Sequence, residues 1–158
     1  MGKKTGHNPT DRSKQGVKRS LLTEGHGIPV GLAIDGANRH DMTLVRATLE
    51  SLLGSRPEPL VERPQGMCLD AGYDYDEVRA LLLEFGFTAH IRSRGVEKRE
   101  LASDANQKAR RWVVERSHSW MNRFRRILVR WEKKPDNYLA FLHFACGLIA
   151  CRAAGLFG

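Results

Sequence analysis

The segment Gly66-Met67-Cys68-Leu69-Asp70 is short and apolar, ends at a carboxylate, and is followed by Ala71-Gly72-Tyr73 and then by Val78, Leu81, Leu82 and Phe85 at helical spacing. Gly86 stands where a C′ glycine closes a helix, and Phe87 to Ile91 reads as another strand. Strand, helix and strand over residues 67–91 make a β-α-β unit, whose two strands run parallel with a right-handed crossover. Parallel strands need a covering helix, so this unit constrains the chain to an α/β fold.

The flanking segments extend that reading. Residues 17–23 and 28–34 read as two strands joined by Glu24-Gly25-His26-Gly27, a turn with the glycines a hairpin wants, which predicts an antiparallel pair. Asp41 occupies an N-cap position before Leu44, Val45, Leu49, Leu52 and Leu53, a helical pattern that Gly54 stops. Residues 55–65, with Pro57, Pro59 and Pro64, read as a surface loop, and residues 1–16 as an irregular basic lead-in. From Arg110 to Trp131 one amphipathic helix is expected, with Val113, Trp120, Phe124, Ile127, Leu128 and Trp131 on its core face and Glu115 on the other. Pro135 ends it, and Asp136 can cap a last helix that is apolar almost all round and therefore buried. Trp112, Trp120 and Trp131 are read as core anchors rather than base-stacking platforms. At 158 residues the whole is expected to be one domain.

Charge decides the class of partner. The chain holds 26 Lys and Arg against 18 Asp and Glu, a net charge of +8. The excess is concentrated: residues 110–134 hold nine basic residues against Glu115 and Glu132, and residues 1–20 hold six against Asp11. Arginine-rich faces bind phosphates by charge and bidentate hydrogen bonds, so nucleic acid is the first partner expected, against the alternative of a solvated helix face. The polar stretch 92–109 reads as a loop that could also contact it, through Arg94, Lys98 and Arg99.

Other classes lose their signals. The three cysteines, Cys68, Cys146 and Cys151, form no C-x-x-C pair, so neither a disulfide framework nor a zinc ribbon is encoded and a reducing cytosol fits. Six histidines show no H-x-x-x-H or H-E-x-x-H spacing, and no glycine-rich nucleotide motif occurs. The N-terminus lacks a signal-peptide core, and the apolar stretch 138–151 is too short for a membrane span of about 20 residues. No small-molecule substrate is implied.

Two carboxylates stand out. Asp70 ends an apolar strand, where open α/β sheets place functional groups. Glu115 lies among arginines on the polar side of a helix. Brought together, such groups can hold a divalent cation that binds phosphate oxygens. The bland alternatives are a turn or capping aspartate before Gly72 and an ordinary salt bridge to Arg111. Asp35, which also ends a strand, is the most tempting spare.

Four runs then become recognisable in combination: Thr5-Gly6-His7-Asn8-Pro9-Thr10-Asp11-Arg12, Gly36-Ala37-Asn38-Arg39-His40-Asp41, Asp70-Ala71-Gly72-Tyr73-Asp74, and residues 111–120, Arg-Trp-Val-Val-Glu-Arg-Ser-His-Ser-Trp. Their order and spread resemble DDE transposases of bacterial insertion sequences, in particular the insertion-sequence-five group. The resemblance implies a ribonuclease-H-like mixed sheet with flanking helices, in which two aspartates and a glutamate surround two metal ions, magnesium or manganese, about 4 Å apart. By motif match Asp70 is the second aspartate and Glu115 the glutamate, and Arg111, Arg116, Arg123, Arg126 and Arg130 would hold the DNA backbone. The family's first aspartate lies on a strand upstream of Gly6, where residues 1–5 hold no carboxylate. The chain is therefore expected to be the downstream part of a catalytic domain that lacks its first strand. On that expectation it binds insertion-sequence ends in the bacterial cytoplasm, at the nucleoid, but cuts them slowly or not at all until an upstream segment is supplied, and its exposed sheet edge invites self-association or pairing with an upstream transposase fragment. The competing expectation is a non-catalytic DNA-binding remnant that inhibits the full-length transposase.

Overall fold

The structure, a computed structural model, describes residues 4–9, 11–52, 54, 56–91 and 111–157, with the Arg111 side chain and the expected loop 92–109 outside that description. The chain divides into two compact units, one formed by Met1–Leu53 with Val113–Gly158 and the other by Gly54–Trp112.

In the first unit, β1 (Gly6–His7), β2 (Gln15–Thr23) and β3 (Pro29–Gly36) form an antiparallel sheet in the order β1-β2-β3. The β2–β3 register runs from Val17 opposite Gly36 to Leu22 opposite Gly31, with an irregularity before Thr23. The hairpin is as expected, but Gly6 and His7 pair with Gly16 and Gln15, so part of the lead-in is ordered. The backbone there has positive φ at Arg12 and Ser13 as it turns back.

Alternation along β3 explains the layering. Leu32 and Ile34 share one core with Met121, Ile127, Tyr138, Leu142 and Ile149. Gly31 faces α1 (Met42–Glu50), where an added Cβ would lie 2.8 Å from the Thr48 carbonyl oxygen. Only glycine lets that helix come so close, and Ser51 Oγ, 2.7 Å from the Leu32 amide, and Thr48 Oγ1, 2.8 Å from Ser20 Oγ, complete the contact. Asp41 does not cap α1 with its side chain; it lies 3.1 Å from Lys18 Nζ instead.

The single helix expected over 110–131 is interrupted. α3 spans Arg111–Asn122, α4 spans Arg125–Leu128, and Phe124 between them is extended. No glycine or proline causes the break, so the reason is tertiary. Asn122 Oδ1 accepts a 2.9 Å hydrogen bond from Arg19, and the Ile127 carbonyl accepts one of 2.8 Å from the buried Tyr138 hydroxyl. The bend thus sinks Ile127 into the core beside Leu142. Pro135 begins α5 (Pro135–Ala153) rather than merely ending its predecessor, at a position where its missing N–H costs nothing. Asp136 sits in the first turn without capping it. Tyr138, Leu142, Ala145, Cys146 and Ile149 bury one face of α5, whereas Phe141 and Phe144 are exposed, so this helix is not buried all round.

In the second unit, β4 (Gly66–Leu69) and β5 (Thr88–Ile91) are parallel, paired from Gly66–Thr88 to Leu69–Ile91 and joined through α2 (Asp76–Glu84). Met67, Val78, Leu82 and Ile91 are buried. Gly86 follows α2 with φ of +70°, the conformation expected of it. The Arg56 guanidinium donates to the Phe85 carbonyl and lies 4.1 Å from the Phe87 ring centroid, closing the loop before β4 onto the end of α2. The result is a mixed α/β architecture with separate antiparallel and parallel sheets. Among the described residues no helix is long and apolar enough to cross a membrane, and the three cysteines are free.

Candidate functional site

Asp70 follows the last residue of β4, extended at φ −68° and ψ 156°, and the chain then turns through one 3-10 turn, Ala71–Tyr73. Its carbonyl accepts the Tyr73 amide at 2.9 Å, and it stands at the N-cap of the turn without a side-chain capping hydrogen bond. The segment beyond is braced. Arg79 of α2 donates to Asp74 Oδ1 at 2.6 and 3.1 Å and reaches the Ile91 carbonyl at 3.3 Å. Asp74 therefore works as a structural partner, and the Asp70 turn is tied to the carboxyl end of the parallel pair.

Glu115 stands on the exposed side of α3, while Val113, Ser117 and Met121 are buried on the other. The two residues that follow it fasten the helix to the β2–β3 turn. The Arg116 guanidinium donates to the His26 carbonyl and lies 4.8 Å from the Trp120 ring centroid. Ser117 Oγ lies 2.5 Å from the Gly27 carbonyl oxygen and 3.0 Å from that of Val113. Gly27, at φ +90°, has no room for a Cβ without crowding Ser117 Oγ at 3.0 Å. The turn itself is held by Glu24, whose carboxylate accepts the His26 and Ile28 amides at 2.7 and 2.9 Å. Partial burial opposes its charge, but the hydrogen bonds from Ile28 and His26 outweigh that and keep its pKa below the ordinary carboxylate value. Glu115 is thus carried by a helix with little freedom to rotate.

His118 lies on the same helix. Burial and then the nearby Arg19 cation hold its pKa below the usual 6.5. The folded chain therefore binds this proton more weakly than the unfolded chain, and stability falls as pH drops through the unfolded-state value. His118→Gln should flatten that part of the profile. Urea midpoints measured between about pH 7.5 and 5.5 check this, and an unchanged slope would contradict it.

Of the arginines expected on DNA, Arg116 is engaged with the hairpin turn. Arg126 lies 2.5 Å from Glu132, whose side chain is only 6% exposed, and 5.2 Å from the Phe141 ring centroid. Arg130 donates to the carbonyls of Glu132, Lys133 and Lys4 at 2.8, 3.0 and 3.3 Å. Arg123 and Arg125 are exposed at the break between α3 and α4. Asp35, the spare carboxylate, accepts its own Gly36 amide at 2.8 Å and lies 3.9 Å from Arg39.

The chain matches the family described as Transposase DDE domain over residues 1–149. It belongs to that family. A curated relative from Burkholderia cepacia, "Putative transposase for insertion sequence element IS402", is 37% identical over 153 residues, covering 92% of this chain and 68% of the relative. No solved structure matched the chain.

In this DDE transposase domain Asp70 lies in the unit Gly54–Trp112 and Glu115 in the unit that includes Val113–Gly158. Among the described residues no group of three or more His, Cys, Asp or Glu side chains forms a metal cradle. Asp70 and Glu115 supply the hard oxygen donors that magnesium or manganese takes, so their chemistry suits such a cation. Sequence reasoning missed the fastening of α3 through Ser117, Gly27 and Glu24, because a helix serine 90 positions from a turn glycine leaves no periodic signal. It also overlooked Arg125, whose exposure follows from the helix break.

Proposed function

We propose that Asp70 and Glu115 are two of the three carboxylates with which this transposase holds divalent metal and cuts and joins DNA strands at insertion-sequence ends, on a ribonuclease-H-like sheet. The observation that supports this reading best is the placement of Glu115: an exposed carboxylate on a helix whose next two residues are fixed to a hairpin turn. A carboxylate on a rigid element can hold a cation without reorganising, and Asp70 at the end of β4 has the same character. When bound, magnesium or manganese activates the attacking water or 3′-hydroxyl and offsets charge on the leaving oxygen.

DNA is the substrate on this reading, and Arg123 and Arg125 are its most available phosphate ligands. Arg116, Arg126 and Arg130 contribute to the field while their guanidinium groups hold α3, Glu132 and the segment before α5. Arg111 opens α3 and adds to the same charge. Replacing Arg123 and Arg125 together by alanine should weaken duplex binding for every sequence alike. It should also lower the slope of log affinity against log salt by roughly 2, near 0.9 per phosphate contact. Fluorescence anisotropy at several salt concentrations measures this. An unchanged slope would remove both residues from the interface.

A further inference from the structure

Residues 129–133, between α4 and α5, alternate in exposure. Val129 is extended, at φ −118° and ψ 133°, and is exposed along with Trp131 and Lys133, whereas Arg130 and Glu132 turn inward. The inward pair is fixed: Arg130 donates to three carbonyls and lies 5.9 Å from the Tyr138 ring centroid, and the Glu132 carboxylate is enclosed beside Arg126. A buried carboxylate is costly unless paired. Here the carboxylate is paired with Arg126 at 2.5 Å, in a segment that presents an indole to solvent, with Trp131 72% exposed. The expectation that the tryptophans anchor the core fails at this position and at Trp112, and holds only for Trp120, which packs against the core cluster.

We propose that Trp131 is a stacking platform for an unpaired nucleobase of bound DNA, presented by a segment that Arg130 braces through three backbone carbonyls. The inference rests on the DNA reading above and deepens it. Charge selects the occupant. From Arg123 to Lys134 the chain holds six basic residues and one acid, Glu132, and that acid is already beside Arg126. A surface of this composition favours a polyanion, and nucleic acid is the polyanion that also carries aromatic faces. The base must be unpaired, because a base within a duplex is already stacked on both faces. Pre-organisation of the segment removes most of the ordering cost that a mobile tryptophan would incur.

The test uses the whole chain and three DNA probes of equal charge per nucleotide. These are a blunt duplex, the same duplex with a short single-stranded extension, and that extension with abasic sites in place of its bases. The expected result is that the wild-type chain binds the base-bearing extension about tenfold more tightly than the abasic one. Trp131→Ala should abolish that difference, Trp131→Phe should retain most of it, and both should bind the blunt duplex within about twofold of wild type. Tryptophan fluorescence should be quenched by the base-bearing extension, and less so in Trp131→Phe. A preference that survives Trp131→Ala, or is absent from the wild type, overturns the proposal. So does Trp131→Ala changing the oligomeric state alone, which would assign the indole to a contact between copies. Loss of salt-dependent binding to the blunt duplex itself would instead overturn the DNA reading, and this inference with it.

Discussion

Glu115→Gln is expected to lower metal-dependent strand cleavage by the intact transposase by about a thousandfold or more, while duplex binding stays within about twofold. Glutamine preserves the shape of the side chain and removes only the charge that a hard cation needs. Because Glu115 is exposed on α3, the exchange leaves no buried group unpaired and should not disturb the fold. It also removes a negative charge from a segment rich in arginine, so any change in DNA affinity should be toward tighter binding. Asp70→Asn should behave alike. Asp35→Asn is the control: its carboxylate is occupied by the Gly36 amide and lies near Arg39, so cleavage should persist. Single-turnover cleavage of a labelled duplex, with binding measured in parallel, separates the outcomes. Equal losses in binding and cleavage would point to a structural role for Glu115.

Leu142→Ala is expected to cost about 3 kcal/mol of stability, a large part of the 5–15 kcal/mol typical of a domain. Leu142 is fully buried and belongs to the cluster formed by Leu32 and Ile34 of β3, Met121 of α3, Ile127 of α4 and Tyr138 of α5. The deletion leaves a cavity where three helices meet the sheet, and none of them can close it without losing other contacts. Phe144→Ala, on the exposed face of the same helix, should change stability by no more than about 0.5 kcal/mol. Urea denaturation of the two variants checks the contrast. A small loss at Leu142 would mean that α5 is not packed on β3 as described.

What was legible in the sequence is what local chemistry determines. The Glu24–Gly27 turn between two apolar runs announces a hairpin, and the apolar run ending at Asp70, with Gly86 after the next helical pattern, announces a parallel pair. The break at Phe124 was not legible. Residues 110–131 keep helical spacing throughout, and the interruption depends on hydrogen bonds from Arg19 and Tyr138, which are distant in sequence. The same break turns Leu128 and Trp131 outward, reversing the expectation that they face the core. At the candidate site, Asp70 and Glu115 were legible as residue types at telling positions and through the four motifs. The fastening of α3 was not, nor was the engagement of Arg116, Arg126 and Arg130 by carbonyls and a carboxylate, since a count of positive charges does not say which are already committed.

Whether Asp70 and Glu115 belong to one metal-dependent cleavage site is tested most directly by strand cleavage of a labelled duplex carrying an insertion-sequence end, with magnesium or manganese. The intact transposase is compared with its Asp70→Asn and Glu115→Gln variants. The expected result is metal-dependent cleavage that is lost in both variants. Cleavage that survives both substitutions would contradict that assignment.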